Sequence, residues 1–111
     1  MLVRLRKRKA VEYKTEKGKK PFAEWLLQLK DRKGRAVILR RISQAEEGNL
    51  GNHRDLHGGL FELKIDFGPG YRVYFGIDGD TLIVLLCGGD KGSQARDITT
   101  ARKHWVDYER R

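Results

Sequence analysis

Most of the side chains in this chain that could do chemistry together fall between Phe61 and Phe75, where Glu62, Lys64 and Asp66 alternate with apolar residues and Arg72 and Tyr74 follow. Alternation places one set of side chains on each face of a strand, so Phe61, Leu63, Ile65 and Phe67 are inward and the three ionisable groups outward. Gly68-Pro69-Gly70 reads as a turn, because glycine accepts positive φ and proline pre-sets its own. The pattern resumes with Tyr71, Val73, Phe75 and Ile77 on one face and Arg72 and Tyr74 on the other. A three-residue turn sets Phe67 opposite Tyr71, Asp66 opposite Arg72 and Lys64 opposite Tyr74. A carboxylate, an amine, a guanidinium and a phenol then share one surface. That surface is either a site or a set of cross-strand ion pairs worth under about 1 kcal/mol each.

Asp90, Lys91 and Asp97 lie just beyond the next apolar run. If that run pairs with the hairpin, Lys91 approaches Arg72 and Lys64, and clustered cations suit a phosphodiester. Cleavage by a neighbouring 2′-hydroxyl needs a base for its proton, cations for the charge on the phosphoryl oxygens and an acid for the leaving 5′-oxygen. Arginine stays protonated and cannot be the base. A lysine becomes one only when its surroundings destabilise its charge by about 4 kcal/mol. A carboxylate base is easier chemically.

Other chemistries find less support. His53 and His57 sit four apart in an expected loop without cysteine or acidic partners at ligand spacing, and His104 stands alone, so no metal site or cofactor is expected. Neither glycine cluster leads into a Lys-Ser/Thr helix start, and no Gly-x-Ser-x-Gly occurs. Cys87 closes an apolar run and reads as a small buried hydrophobe.

The elements that must hold these residues follow from periodicity. Val11 to Thr15 alternates as a first strand. Pro21 suits the first turn of a helix whose Phe22, Trp25, Leu26 and Leu29 form one stripe up to about Lys30. A second helix spans about Arg35 to Glu47 with Ile38, Ile42 and Ala45 inward, stopping at Gly48-Asn49. Residues 49–59 read as a loop before the hairpin. Thr81 to Cys87 is apolar on both parities and is expected as an interior strand, paired with the first strand or the hairpin. Ser93 is placed as the cap of a last helix with Ile98, Ala101, Trp105 and Tyr108 facing the sheet. The expected fold is α+β: a small, mainly antiparallel, twisted sheet of about four strands, packed on one face by a helical hairpin and a C-terminal helix.

At 111 residues the chain fits one domain, taken as 11–111 behind a basic arm at 1–10. The net charge of +9 is concentrated at the start: residues 1–20 hold nine Lys or Arg and two Glu. Such an arm adds loose polyanion affinity, not chemistry. No apolar run reaches the roughly 20 residues that span a bilayer, and the N-terminus lacks the apolar centre of a secretory signal. One cysteine forms no internal disulfide, which fits a reducing cytoplasm.

The run Glu62 to Gly76, with its Gly-Pro-Gly-Tyr-Arg-Val-Tyr-Phe core, resembles the hallmark of RelE/ParE-type toxins, within them the HigB-like branch of addiction module killer proteins. Pro21 to Leu26, Gly48-Asn49, Leu85 to Lys91 and Trp105 to Arg111 resemble that branch in the same order. The resemblance covers nearly the whole chain from about Val11. It implies the toxin of a toxin–antitoxin pair, neutralised by a helix-turn-helix, HigA-like antitoxin and cutting mRNA on the ribosome without metal. Position by position it implies that Arg72 contacts phosphate, with Lys64 and Lys91 as further cations. Glu62 or Lys64 is then the base, Asp97 a proton-transfer group, and Tyr74, Arg54 and Arg96 are RNA contacts. The chain departs from the best-studied nucleases of this type at Glu62, where they carry a second lysine, and at Asp97, near their functional tyrosine. A ParE-like toxin that inhibits DNA gyrase by contact, and a module that only binds antitoxin, stay open as alternatives.

Overall fold

The structure, a computed structural model, describes residues 7–111; most of the expected basic arm, residues 1–6, lies outside them. In chain order the elements are β1 (Lys9–Glu12), α1 (Pro21–Gln28), α2 (Arg32–Glu46), β2 (His53–Asp55), β3 (Leu60–Ile65), β4 (Tyr71–Asp78), β5 (Leu82–Asp90) and α3 (Gln94–Glu109). The sheet has five strands in the order β1-β5-β4-β3-β2, with β1 parallel to β5 and the other pairs antiparallel. The sheet is therefore mixed, and one strand larger than expected. The added strand is β2, inside the segment expected to be a loop. Lys9 and Ala10, assigned to the arm on sequence, belong to β1.

The helices cover both faces rather than one. Phe22 of α1 and Ile38, Ile42 and Ala45 of α2 pack with Leu63, Ile65, Val73, Phe75, Ile83 and Leu85 in one core cluster. Ala101 and Trp105 of α3 pack with Tyr13, Leu60, Tyr74, Val84, Leu86 and Cys87 in the other. This is why β5 is apolar on both parities: a central strand between two layers has no solvent face. A bulge against Tyr74 and Phe75 inserts Leu86 into β5 and lets Leu86 and Cys87 both join the α3 layer.

Local chemistry accounts for the boundaries. Pro21 opens α1 where its missing N–H costs nothing. Asp31 caps α2, its carboxylate accepting from Gly34 N–H at 2.8 Å. Ser93, the expected cap of α3, makes no such bond; Asp90 and Ser93 instead form a capping box around the 3-10 turn Lys91–Ser93 that precedes the helix. Burial lifts the Cys87 thiol to about 12, as befits a residue that packs rather than reacts. Among the described residues no helix is long and apolar enough to cross a membrane.

Candidate functional site

The β3–β4 hairpin turns through five residues, Asp66 to Gly70, not three. Ile65 pairs with Tyr71, Lys64 with Arg72 and Glu62 with Tyr74. Asp66 therefore does not oppose Arg72, nor Lys64 Tyr74. The offset is two residues, so every side chain keeps its expected face while changing its partner. The turn is tied down at its end: the Tyr71 hydroxyl donates to the Asp31 carboxylate at 2.7 Å. Burial and that carboxylate push Tyr71 up to about 12, while the Gly34 N–H and the Tyr71 hydroxyl hold Asp31 below the usual carboxylate range.

Two rows of side chains cross the α3 face of the sheet. In the first, Lys64 N–H donates to the Asn52 carbonyl at 2.9 Å, Lys64 pairs with Arg72, and Arg72 pairs with Gly89. In the second, Arg54 pairs with Glu62, Glu62 with Tyr74 and Tyr74 with Cys87. The rows have different fates.

The first row is open. Asn52, Lys64, Asp66, Gly68, Pro69, Gly70, Arg72 and Lys91 line a cavity of about 260 Å³. Lys91 arrives there because Asp90, at the end of β5, pairs with Tyr71. Gly70, at φ +87°, packs where a Cβ would lie 3.5 Å from both the Arg72 guanidinium and Lys91 Cβ. Arg72 donates to its neighbour's carbonyl, Tyr71 O, at 3.0 Å, and its buried Nε has no partner. Three cations thus meet around one opening with a single carboxylate, Asp66.

The second row is roofed by α3. Glu62 is fully buried; its carboxylate accepts from Gln94 Nε2 at 2.8 Å and lies 3.3 Å from Arg54 Nε. Tyr74 is fully buried as well, its hydroxyl lacking a well-formed hydrogen bond. Burial first, then the charge of Glu62, drives its pKa far above the ordinary phenol range. Neither side chain reaches solvent, so in this arrangement Tyr74 stacks on no base and Glu62 takes no proton from a ligand. Asp97, half-buried in the first turn of α3, accepts from the Ser93 hydroxyl and packs over Gly89. Arg54 is half-exposed at the sheet edge, and Arg96 is exposed on α3 with no hydrogen-bond or ion-pair partner among the described residues.

Of the expected site residues, Lys64, Arg72 and Lys91 come together; Glu62 and Tyr74 sit beside them under α3, and Asp97 belongs to the first turn of that helix. Asn52 and Asp66 enter the cavity without having been singled out as site residues. On the sequence pattern Asp66 is the cross-strand partner of Arg72, and Asn52 falls in the segment expected as a loop. A further residue supports the wall. Arg41 of α2 donates to Lys64 O at 2.7 Å, Leu50 O at 2.8 Å and Asn52 O at 3.0 Å. No three His, Cys, Asp or Glu side chains among the described residues group closely enough to hold a metal ion.

Comparison with known proteins adds a family. Residues 24–106 match the family model described as Phage derived protein Gp49-like (DUF891). An uncharacterized protein of Haemophilus influenzae (strain Rd) is 44% identical over 81 residues, covering 73% of this chain and 82% of the relative. The match spans the hairpin, β5 and nearly all of α3, and so every residue of the cationic cavity: the chain belongs to the Gp49-like family of phage-derived proteins, a family associated with toxin–antitoxin modules of the RelE/HigB-like class.

Proposed function

We propose that the chain is the toxin of a toxin–antitoxin pair and acts as a metal-independent endoribonuclease on mRNA, on translating ribosomes. The observation that carries this reading is the convergence of Lys64, Arg72 and Lys91 on one open cavity with Asp66 at its wall. In the proposed reaction the three cations hold the scissile phosphate. Asp66 takes the proton of the neighbouring 2′-hydroxyl, whose oxygen attacks phosphorus as the bond to the 5′-oxygen breaks, leaving a 2′,3′-cyclic phosphate. The 5′-oxygen leaves with a proton from Lys91 or water. Asp66 replaces Glu62 as the base because Glu62 is sealed beneath α3. The antitoxin is the expected partner, and mRNA with the ribosome the expected target. RNA-end mapping after induction tests the reading: new ends that vanish with Arg72→Ala support it, and growth arrest without new ends removes it.

One observation favours a second reading, inhibition of DNA gyrase by contact. With Glu62 and Tyr74 covered, the cavity offers cations and only one carboxylate, which serves anion binding as well as catalysis. Filamentation that precedes any fall in protein synthesis would select it.

A further inference from the structure

Asn52 has a rigid backbone and a free side chain, an unusual combination at the mouth of a cavity. Its carbonyl accepts from Lys64 N–H at 2.9 Å and from Arg41 at 3.0 Å. Arg41 also holds the Lys64 carbonyl at 2.7 Å, so one half-buried guanidinium locks Asn52 and Lys64 to each other. The chain reaches this position through Gly51, at φ +61°, where a Cβ would crowd the Arg41 guanidinium at 3.0 Å. The Asn49 side chain accepts from Gly51 N–H at 3.0 Å and fixes the turn. The Asn52 amide, by contrast, is exposed and has no hydrogen-bond partner among the described residues. It stands in the open row, next to Lys64 and across from Arg72.

Every other polar side chain lining the cavity is charged. Charges grip a phosphate and carry no information about the base attached to it, whereas an amide offers a donor and an acceptor side by side. An unpartnered amide on a fixed backbone, next to a phosphate grip, matches the adjacent donor and acceptor of adenine's exposed edge, and single-stranded RNA presents its base edges freely.

Resting on the ribonuclease reading above, we propose that Asn52 is a specificity residue of the cationic cavity, reading an adenine next to the phosphate held by Lys64, Arg72 and Lys91. Arg41 is its positioning residue, acting through the backbone carbonyls of Leu50, Asn52 and Lys64.

The test is fluorescence anisotropy with labelled oligouridine and with the same oligomer carrying one adenine, at fixed salt, for wild type and for the Asn52→Ala and Asn52→Asp variants. Wild type is expected to favour the adenine-bearing oligomer by about tenfold, the scale of one bidentate amide–base pair. Asn52→Ala is expected to lose that preference and keep the oligouridine affinity. Asn52→Asp is expected to move preference towards a cytosine-bearing oligomer, whose amino group an acceptor-only side chain can take. A wild type that binds both oligomers equally, or an Asn52→Ala variant that keeps the preference, overturns the inference and leaves the ribonuclease reading standing. A wild type that binds no oligomer, on or off ribosomes, overturns both.

Discussion

Lys64 and Arg72 stand directly opposite each other on one face of the β3–β4 ladder, two like charges where an ion pair would be the stable choice. Such a pair opposes folding by roughly 0.2–1 kcal/mol, so it marks a place where stability is given up for binding. Lys64→Gln is accordingly expected to raise stability by about 0.5 kcal/mol in urea unfolding while ending growth arrest on induction. A variant that lost both stability and activity would assign Lys64 a structural role instead.

Arg54 and Glu62 form an asymmetric pair, since the carboxylate is sealed and the guanidinium is half in solvent. Removing the arginine strands a buried charge; neutralising the carboxylate strands only a solvated one. Arg54→Ala is expected to cost about 1–3 kcal/mol, and Glu62→Gln, which keeps the shape and a bond to Gln94, well under half of that. Equal losses in the two urea midpoints would show that the buried pair acts through shape rather than charge.

The pH dependence of stability should fall away at both ends. Asp31 is held low by the Gly34 N–H and the Tyr71 hydroxyl, and Asp107 by the Tyr13 hydroxyl and Arg111. A depressed carboxylate stabilises above its unfolded value and loses that contribution as it is protonated, so stability declines below about pH 4. Tyr13 and Tyr71, both raised to about 12, stabilise below the ordinary phenol value and lose that contribution as pH climbs from 10 towards 12. Asp31→Asn should flatten part of the acid limb in urea titrations from pH 2.5 to 7. An unchanged limb would exclude the Asp31–Tyr71 bond from the acid response.

Gly76 lies in β4 under the indole of Trp105, where a Cβ would clash with the ring atoms. The indole is anchored from its other side, donating to Gly58 O at 2.7 Å, so it cannot easily retreat. Gly76→Ala is expected to destabilise by about 1–3 kcal/mol through overpacking, seen as a lowered Tm. A Tm within error of wild type would mean that α3 can shift outward, which would also uncover Glu62 and Tyr74.

How much of this was legible beforehand depends on which property carried the signal. Alternation in Phe61 to Phe75 reports which face a side chain takes, and that was read correctly for Lys64, Arg72, Glu62 and Tyr74. It is silent on how many residues the turn consumes, so partners were misassigned by two positions around Gly68-Pro69-Gly70. His-Arg-Asp of β2 has no apolar residue to betray a strand, because all three side chains are exposed and only backbone pairing with Phe61 to Leu63 defines it. The burial of Glu62 was hidden for another reason. It depends on α3 crossing the second face of the sheet, and a stripe of Ala101 and Trp105 reveals that a helix packs without revealing where. The double parity of Thr81 to Cys87 did contain the hint of two covered faces.

The outer edge of β1 carries one more implication. Two outward amides along this edge, that of Arg8 just before β1 and that of Ala10 within it, are both taken by Glu46, the first by its carbonyl at 2.8 Å and the second by its carboxylate at 2.9 Å. The opposite margin, β2, is three residues of histidine, arginine and aspartate. Neither border offers a foreign strand a long run of free, uncharged backbone to copy, so the molecule can reach high local concentration during synthesis without polymerising edge to edge.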